Sequence, residues 1–240
     1  MSRRILSVPN PEAFLRTVKL YSENWSKIIA FAESPNSLSP ITYLRNYSRD
    51  DFLEEINSEN LREAHKAKSD FVEGIKSCIR VALGYQYRLK VDVANCYNSI
   101  YTHSITWAIC GKESAKSYMR TKLPASLKSN YELGDMLDAF TRFQKNNETN
   151  GIVVGPYTSR IFSEIILSAI DKILRDRAFV FKRYVDDYKF YFRSESQAEE
   201  SIRIIEKILN QYNLNLNLSK TEILKFPYEK LSNMQSAFAA

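Results

Sequence analysis

The chain reads as an α+β protein, a small antiparallel sheet with helices on one face. Three observations point there. From residue 86 onward, segments of alternating character interrupt segments of helical spacing, in the order strand, helices, loop, helix, hairpin, helix, strand. The stretch YRLKVDVANCY alternates cleanly, with Leu89, Val91 and Val93 on one side and Arg88, Lys90 and Asp92 on the other, which is the pattern of a half-buried strand. Hydrophobic residues make up 44% of the 240 positions and aromatics 12%, enough for a packed core and too much for a disordered chain.

Taken in order, residues 10–31 predict a helix. Asn10 serves as a cap, Pro11 suits the first helical position, and Phe14, Val18, Tyr21, Trp25 and Ile28 recur at helical spacing. Residues 34–50 are rich in Ser, Pro and Asn and read as irregular. Residues 51–83 read as mostly helical and polar. After the strand near residue 90, residues 104–145 return to helical patterns. ETNGIVVGPYTS is a turn-rich loop that leads into an apolar helix with Phe162, Ile165, Ile166, Ala169, Ile170 and Ile173 on one stripe. Two short strands follow, around 179–185 and 188–193, hinged at Asp186 and Asp187. Residues 196–213 form an amphipathic helix with Ala198, Ile202, Ile205, Leu209 and Tyr212 inward, and KTEILKF supplies a last strand. There is no internal repeat and no low-complexity linker.

The formal net charge is +6, a modest surplus that favours a polyanionic partner such as nucleic acid and fits a partnerless basic surface equally well. Cys78, Cys96 and Cys110 are widely spaced, and with only His65 and His103 to join them a structural zinc site is excluded as the design principle of the fold. The opening MSRRILSVPNPEAF lacks the apolar core of a signal peptide, and no apolar run reaches membrane-spanning length. The expectation is a soluble cytoplasmic protein with no membrane association.

The chemistry lies in the acids. FKRYVDDYKFYF places Asp186 and Asp187 between two strand-like runs, and Asp92 ends another strand. Alone, an Asp-Asp turn is a solvated hairpin tip, and an Asp at a strand end is a turn former or helix cap. If the strands are neighbours, three carboxylates converge and repel one another unless cations are bound. Hard oxygen ligands of this kind suit Mg²⁺. Two such ions about 4 Å apart activate an attacking oxygen and stabilise a leaving one in phosphoryl transfer.

These stretches resemble a known family. YVDD between two short strands resembles the catalytic hairpin of reverse transcriptases, and KVDVANCYNSIYTHSI resembles their first acidic motif. GIVVGPYTSRIFSEIIL is similar to their substrate-binding loop and helix, and LNLNLSKTEI to the segment after the catalytic hairpin. The motifs keep the family's order and cover roughly residues 86–226. The resemblance implies a right-hand polymerase fold, fingers and palm, with a ferredoxin-like palm sheet and a thumb that is short or absent. It divides the chain into a fingers region at 1–85, palm at 86–106, a helical insertion at 107–150, palm again at 151–228, and a truncated or flexible end at 229–240.

The same resemblance implies roles. Asp92, Asp186 and Asp187 are the catalytic acids and, with the backbone of Val93, hold two Mg²⁺ ions, with Mn²⁺ as a substitute. Val93, Ala94, Tyr97, Gly155, Pro156, Ser159 and Lys220 bind the incoming deoxynucleoside triphosphate. A ring at Tyr97 clashes with a 2′-hydroxyl, a glycine at 155 allows close backbone approach, and Lys220 offers charge or a proton to the leaving pyrophosphate. The plainer readings are a packed aromatic, a helix-entry glycine and a solvated lysine. His103 reads as structural, Lys112 and Lys116 as phosphate contacts or a solvated face, and Arg45, Arg49, Lys66 and Lys68 lie where fingers meet triphosphate or template.

The chain also departs from that family. Val153 and Val154 replace the usual Pro-Gln of the loop, Arg160 follows Ser159 where a Pro is usual, and Glu164 stands where an Asn is usual. With SVPNP, YTHSI and GPYTSRIFSE, these changes make the chain most similar to the abortive-infection, phage-defence reverse transcriptases of bacteria. That implies DNA synthesis that is untemplated and primed from a protein hydroxyl; fifteen tyrosines are available and none is singled out. The partners implied are deoxynucleotides, DNA or RNA, a C-terminal helical region or second protein in place of the thumb, and a second copy of the chain in a homo-oligomer. Two alternatives stay open: a template-dependent enzyme like those of retrons and group II introns, and a polymerase-like module that binds nucleic acid or a partner without chemistry.

Overall fold

A computed structural model describes residues 7–38, 73–117 and 124–228. The expectations for Arg45, Arg49, His65, Lys66, Lys68 and residues 229–240 lie outside the described residues. The elements are α1 (Pro11–Glu23), α2 (Trp25–Ala32), β1 (Tyr87–Asp92), α3 (Cys96–Ser99), α4 (Ser104–Cys110), α5 (Lys112–Ser117), α6 (Ala125–Phe143), α7 (Tyr157–Asp176), β2 (Phe181–Tyr184), β3 (Asp187–Phe192), α8 (Glu195–Asn210) and β4 (Glu222–Lys225). Residues 73–82 are helical as well. The α+β class is as the sequence predicts. No helix among the described residues is long and apolar enough to cross a membrane.

The contacts divide the chain into two compact units, each assembled from separate stretches. The described residues of one fall within Met1–Pro35, Val93–Ala178 and Arg203–Asn217, and those of the other within Asn36–Asp92, Phe179–Ile202 and Leu218–Ala240.

The first unit is helical. Asn10 caps α1 by accepting from the Ala13 N–H at 3.1 Å, with Pro11 at the first turn. The single helix expected over 10–31 is two, because Asn24 leaves helical geometry (φ −117°, ψ 19°) and both its backbone N–H and its side-chain amide donate to the Leu20 carbonyl. Of the expected inward stripe Tyr21 and Ile28 are buried, while Val18 is 41% exposed and Ala13, Thr17 and Leu20 are buried beside them. Gln144 donates to Thr17 Oγ1 at 2.8 Å, holding α1 to the end of α6. Ser168 donates to the Ala32 carbonyl at 2.9 Å, holding α2 to α7. α4 packs on α6 at Gly134, where an added Cβ would meet the Thr106 backbone at 3.0 Å. α7 is buried nearly all round between Ile161 and Ser168, wider than the expected stripe.

The second unit is built on a four-stranded antiparallel sheet of order β2-β3-β1-β4. Leu89, Val91, Tyr188, Phe190, Phe181 and the whole of Arg183 are buried on one face. Phe181, Tyr188 and Phe190 form an aromatic cluster, with Tyr188 stacked on Phe190 at 5.6 Å. The opposite face carries Arg88, Lys90 and Asp92, as the alternation predicts. That face is covered at the end away from Asp92, where Arg88 is buried and the Tyr228 ring lies 5.0 Å from its guanidinium. The outer edge of β2 is covered: the Arg183 N–H donates to the Asn36 carbonyl, the Leu38 N–H to the Arg183 carbonyl, and the Asn36 amide to the Phe181 carbonyl.

Candidate active site

Register decides which side chains meet. β1 and β3 pair so that Asp92 faces Asp187, Val91 faces Tyr188 and Lys90 faces Lys189. Residues directly opposite in an antiparallel pair share a face, with Cβ atoms about 5 Å apart. Asp92 and Asp187 are therefore neighbours because Leu89, Val91, Tyr188 and Phe190 must all point into the core; a slip of β3 by one residue would turn Asp187 into it and Tyr188 and Phe190 out.

Asp186 lies between the strands. β2 and β3 are joined by the two residues Val185 and Asp186, with Tyr184 opposite Asp187. Val185 has φ +55° while Asp186 does not enter positive φ. A β-branched residue in the left-handed region is strained, and a two-residue hairpin demands such a conformation at its first central position when built as a II′ type turn. The turn is held from below. Arg183, fully buried, donates from Nη1 to the Val185 carbonyl at 2.8 Å and lies against the Tyr188 ring at 5.8 Å. Sequence reasoning missed Arg183. The signal was available, since alternation along FKRYVDD puts it on the apolar side with Phe181, where a cation needs a reason.

Lys220 joins the acids. β4 pairs with Tyr87–Lys90 only, Glu222 facing Lys90, and continuing that register by two residues sets Lys220 opposite Asp92. A 3₁₀ turn at Leu218–Lys220 delivers it, and its Nζ lies 3.2 Å from Asp92 Oδ2, with Lys220 64% and Asp92 13% exposed at the side chain.

The electrostatics follow. Partial burial, then the negative charges of Asp186 and Asp92, push the Asp187 carboxyl above its ordinary 3.8, and a hydrogen bond shared with Asp92 adds to this while Lys220 opposes it. Among the described residues no three His, Cys, Asp or Glu side chains are gathered closely enough to hold one metal ion. The donor chemistry nevertheless suits a hard divalent cation: two adjoining carboxylates in register and a third next to them in the turn.

The remaining predicted residues lie in the helical unit. Val93 is buried and bridges to Leu216, and the Ala94 N–H donates to the Asn215 carbonyl at 2.9 Å. The Tyr97 carbonyl accepts from the Ile152 N–H at 2.9 Å, which brings the α3 turn to the glycine-bearing loop. Gly155, at φ +130°, and Pro156 lead into α7, and Ser159 is buried in its first turn with its N–H on the Pro156 carbonyl at 3.2 Å. Val153, on which the loop's departure rests, is buried. His103 donates to or pairs with Asp138 through Nδ1 at 2.8 Å, a buried carboxylate also bound by Arg142, so its place is structural. Lys112 is spent on the Trp107 ring, at 4.3 Å, and the Gln211 carbonyl, at 2.6 Å.

A sequence model of the reverse transcriptase (RNA-dependent DNA polymerase) family matches residues 46–233. No curated protein matches the chain. Among solved structures, apo telomerase from Candida tropicalis is similar at 13% identity, with 88% of this chain and 37% of that one covered and a TM-score of 0.49. The same enzyme truncated from its C-terminal domain gives 16% identity, 86% and 40% coverage and a TM-score of 0.48. Telomerase from Candida albicans with a fragment of telomeric RNA gives 15% identity, 71% and 31% coverage and a TM-score of 0.41. The chain spans less than half the length of each of these.

Proposed function

The chain belongs to the reverse transcriptase family, and on that premise we propose that it joins deoxynucleotides by phosphoryl transfer at Asp92, Asp186 and Asp187. The observation that carries this reading is the in-register pairing of Asp92 with Asp187 beside Asp186 at a two-residue turn. In the reaction a hydroxyl oxygen bonds to the α-phosphorus of a deoxynucleoside triphosphate, the bond to the β-phosphate oxygen breaks, and pyrophosphate leaves. Two Mg²⁺ ions held by the three carboxylates would lower the charge barrier between the attacking oxygen and the phosphates. The carboxylates fix where that hydroxyl and α-phosphate sit. Lys220, drawn to Asp92 at 3.2 Å, carries positive charge to the edge of the site and offers it, or a proton, to the departing pyrophosphate. Tyr97 acts against a 2′-hydroxyl, as its motif implies, so deoxynucleotides are preferred.

The finer reading is of the abortive-infection type, a bacterial cytoplasmic defence enzyme that extends a protein hydroxyl without a template. Val153 and Val154 in the loop before α7 support it, since the family's Gln is missing there. Template-dependent synthesis is the competing reading. Purified chain is given Mg²⁺ and each labelled deoxynucleotide, with and without primer and template, beside Asp186→Ala. Label attached to protein without template, and lost in the variant, is the expected result. Incorporation only with both primer and template overturns the untemplated reading, and none under any condition overturns the polymerase itself. Tyr97→Ala is expected to admit ribonucleotides.

A further inference from the structure

Asp138 lies on α6 with 1% of its surface exposed, and the chemistry described above makes no use of it. Its Oδ2 accepts from two side chains at once: from His103 Nδ1 at 2.8 Å, and from Arg142 at 3.2 Å through Nε and 3.1 Å through Nη2. Its Oδ1 is buried with no hydrogen-bond partner. A buried carboxylate with an unsatisfied oxygen is costly. That cost is offset by the ties on Oδ2, which lead to the two chains of one seam. His103 follows directly on Thr102, and its ring stands edge-on to Tyr101 at 4.9 Å. Arg142 donates from Nη1 to Asn147 Oδ1 at 2.8 Å, and its carbonyl accepts the Asn147 N–H. Asn146 and Asn147 are both left-handed, at φ +51° and +63°, a conformation that Asn tolerates better than most residues.

The seam joins residues 97–102 to residues 149–152. The Thr102 N–H donates to the Thr149 carbonyl at 2.9 Å, the Gly151 N–H to the Ile100 carbonyl at 2.8 Å, and the Ile152 N–H to the Tyr97 carbonyl at 2.9 Å. Tyr101 and Asn150 form an antiparallel bridge between them. The chains are close, since a Cβ added at Gly151 would meet the Asn98 carbonyl oxygen at 3.0 Å. Asp138 ties both chains at the end where Thr102 meets Thr149, and Tyr97 lies at the other end. All of these residues belong to the helical unit. One oxygen that holds both chains fixes their register, and the register sets where the Tyr97 backbone stands against the loop that runs on to Gly155.

We propose that Asp138 is a positioning residue for sugar selectivity: by holding His103 and Arg142 on one oxygen it fixes the seam that sets Tyr97 against the loop of Gly151 and Gly155. The proposal rests on the polymerase reading above, in which Tyr97 acts against a 2′-hydroxyl, and adds what keeps Tyr97 in place. A small shift is enough, because a misplacement of about 1 Å caused by a remote substitution can cost on the order of 100-fold in rate.

The ratio of kcat/KM for a deoxynucleotide to kcat/KM for its ribonucleotide is measured for the full chain, for Asp138→Asn and for Leu133→Ala. The first variant keeps the shape and removes the charge; the second opens a void under the same helix. The ratio is expected to fall about tenfold in Asp138→Asn and to stay unchanged in Leu133→Ala, even where total activity drops. Added to Tyr97→Ala, Asp138→Asn is expected to lower the ratio no further, because the two act as one unit. An unchanged ratio in Asp138→Asn overturns the proposal, and so does a full further fall in the Tyr97→Ala background. Hydrogen exchange at the Thr102, Gly151 and Ile152 amides gives a second reading. Exchange about tenfold faster in Asp138→Asn, with the amides of α7 unchanged, is expected; even acceleration across the helical unit makes Asp138 a stability residue only. Should Asp138→Asn not fold, Arg142→Met removes the arm to Asn147 alone and decides by the same two measurements. A wild-type chain that adds no nucleotide overturns the polymerase reading and the selectivity with it, and the exchange data then still decide whether Asp138 holds the seam.

Discussion

At the scale of single residues, two positions carry opposite kinds of stored cost. Asp187 carries electrostatic cost. Its carboxyl lies above 3.8 in the folded protein, through partial burial and then through Asp186 and Asp92. A group whose folded value is raised contributes stability that is complete below the ordinary value and lost as pH rises through the folded one. Without divalent cations, stability is therefore expected to fall as pH climbs from 3.8 through the raised value, and Asp187→Asn is expected to flatten that fall. Thermal melts in a chelator across that range check this; parallel curves for the two proteins would refute it. Adding Mg²⁺ at neutral pH is expected to raise the melting temperature of wild type and leave Asp187→Asn unmoved. Val185 carries conformational cost, a β-branched side chain at φ +55°. Val185→Gly is expected to stabilise the chain by roughly 1 kcal/mol, read as a small rise in melting temperature, because glycine enters the left-handed region freely. Nucleotide incorporation is expected to drop in the same variant as the turn loosens. Lower stability would show that Val185 is not strained.

At the scale of elements, the hairpin of β2 and β3 depends on Arg183, whose guanidinium reaches from the apolar side of the sheet to the Val185 carbonyl. A hydrogen bond from a charged donor is worth about 1.5–3 kcal/mol, while taking the charge out of a buried site returns part of that. Arg183→Met is thus expected to change melting temperature little and to lower kcat for incorporation well beyond that, with KM for the nucleotide nearly unchanged. Equal losses in stability and activity would make Arg183 structural only. The elements also show what a sequence makes legible. Alternation in YRLKVDV puts Asp92 on the polar face, because a half-buried strand cannot hide its period, whereas the hairpin expected to hinge at Asp186 and Asp187 turns instead at Val185 and Asp186, with Asp187 the first residue of β3. Lys220 enters the sequence reading only through the resemblance of LNLNLSKTEI, because it lies in a 3₁₀ turn before β4, where strand alternation does not extend. The break at Asn24 was not legible, because it follows from side-chain and backbone donation to Leu20, which hydrophobic spacing does not record. Nor was the width of α7, since Glu164 and Asp171, both buried, look like solvent-facing positions in a linear pattern.

For the whole molecule, the decisive property is that neither compact unit is a continuous stretch. The chain passes from one to the other after Pro35, Asp92, Ala178, Ile202 and Asn217. The second of these passages falls between Asp92 and Val93, so the peptide that carries one of the three proposed catalytic acids also leads into the helical unit. Within that unit, α1 and α2 cover α6 and α7: Leu20, Ile28 and Ile29 are buried, and Ser168 and Gln144 donate to α2 and α1. Removing residues 1–35 would strip three or more large buried side chains from the helical core, at about 2–5 kcal/mol for each Leu or Ile lost, against a total stability of about 5–15 kcal/mol for a domain. The truncated chain is therefore expected to lose the helical unit outright. The acids sit on the other unit's sheet, whose register rests on Leu89, Val91, Tyr188 and Phe190, none of them in the deleted segment. Hydrogen exchange on the truncated chain separates the two outcomes: protection lost from α6 and α7 and retained in β1 and β3 is expected. Protection lost everywhere at once would mean that the sheet holds its acids in register only while the helices are folded.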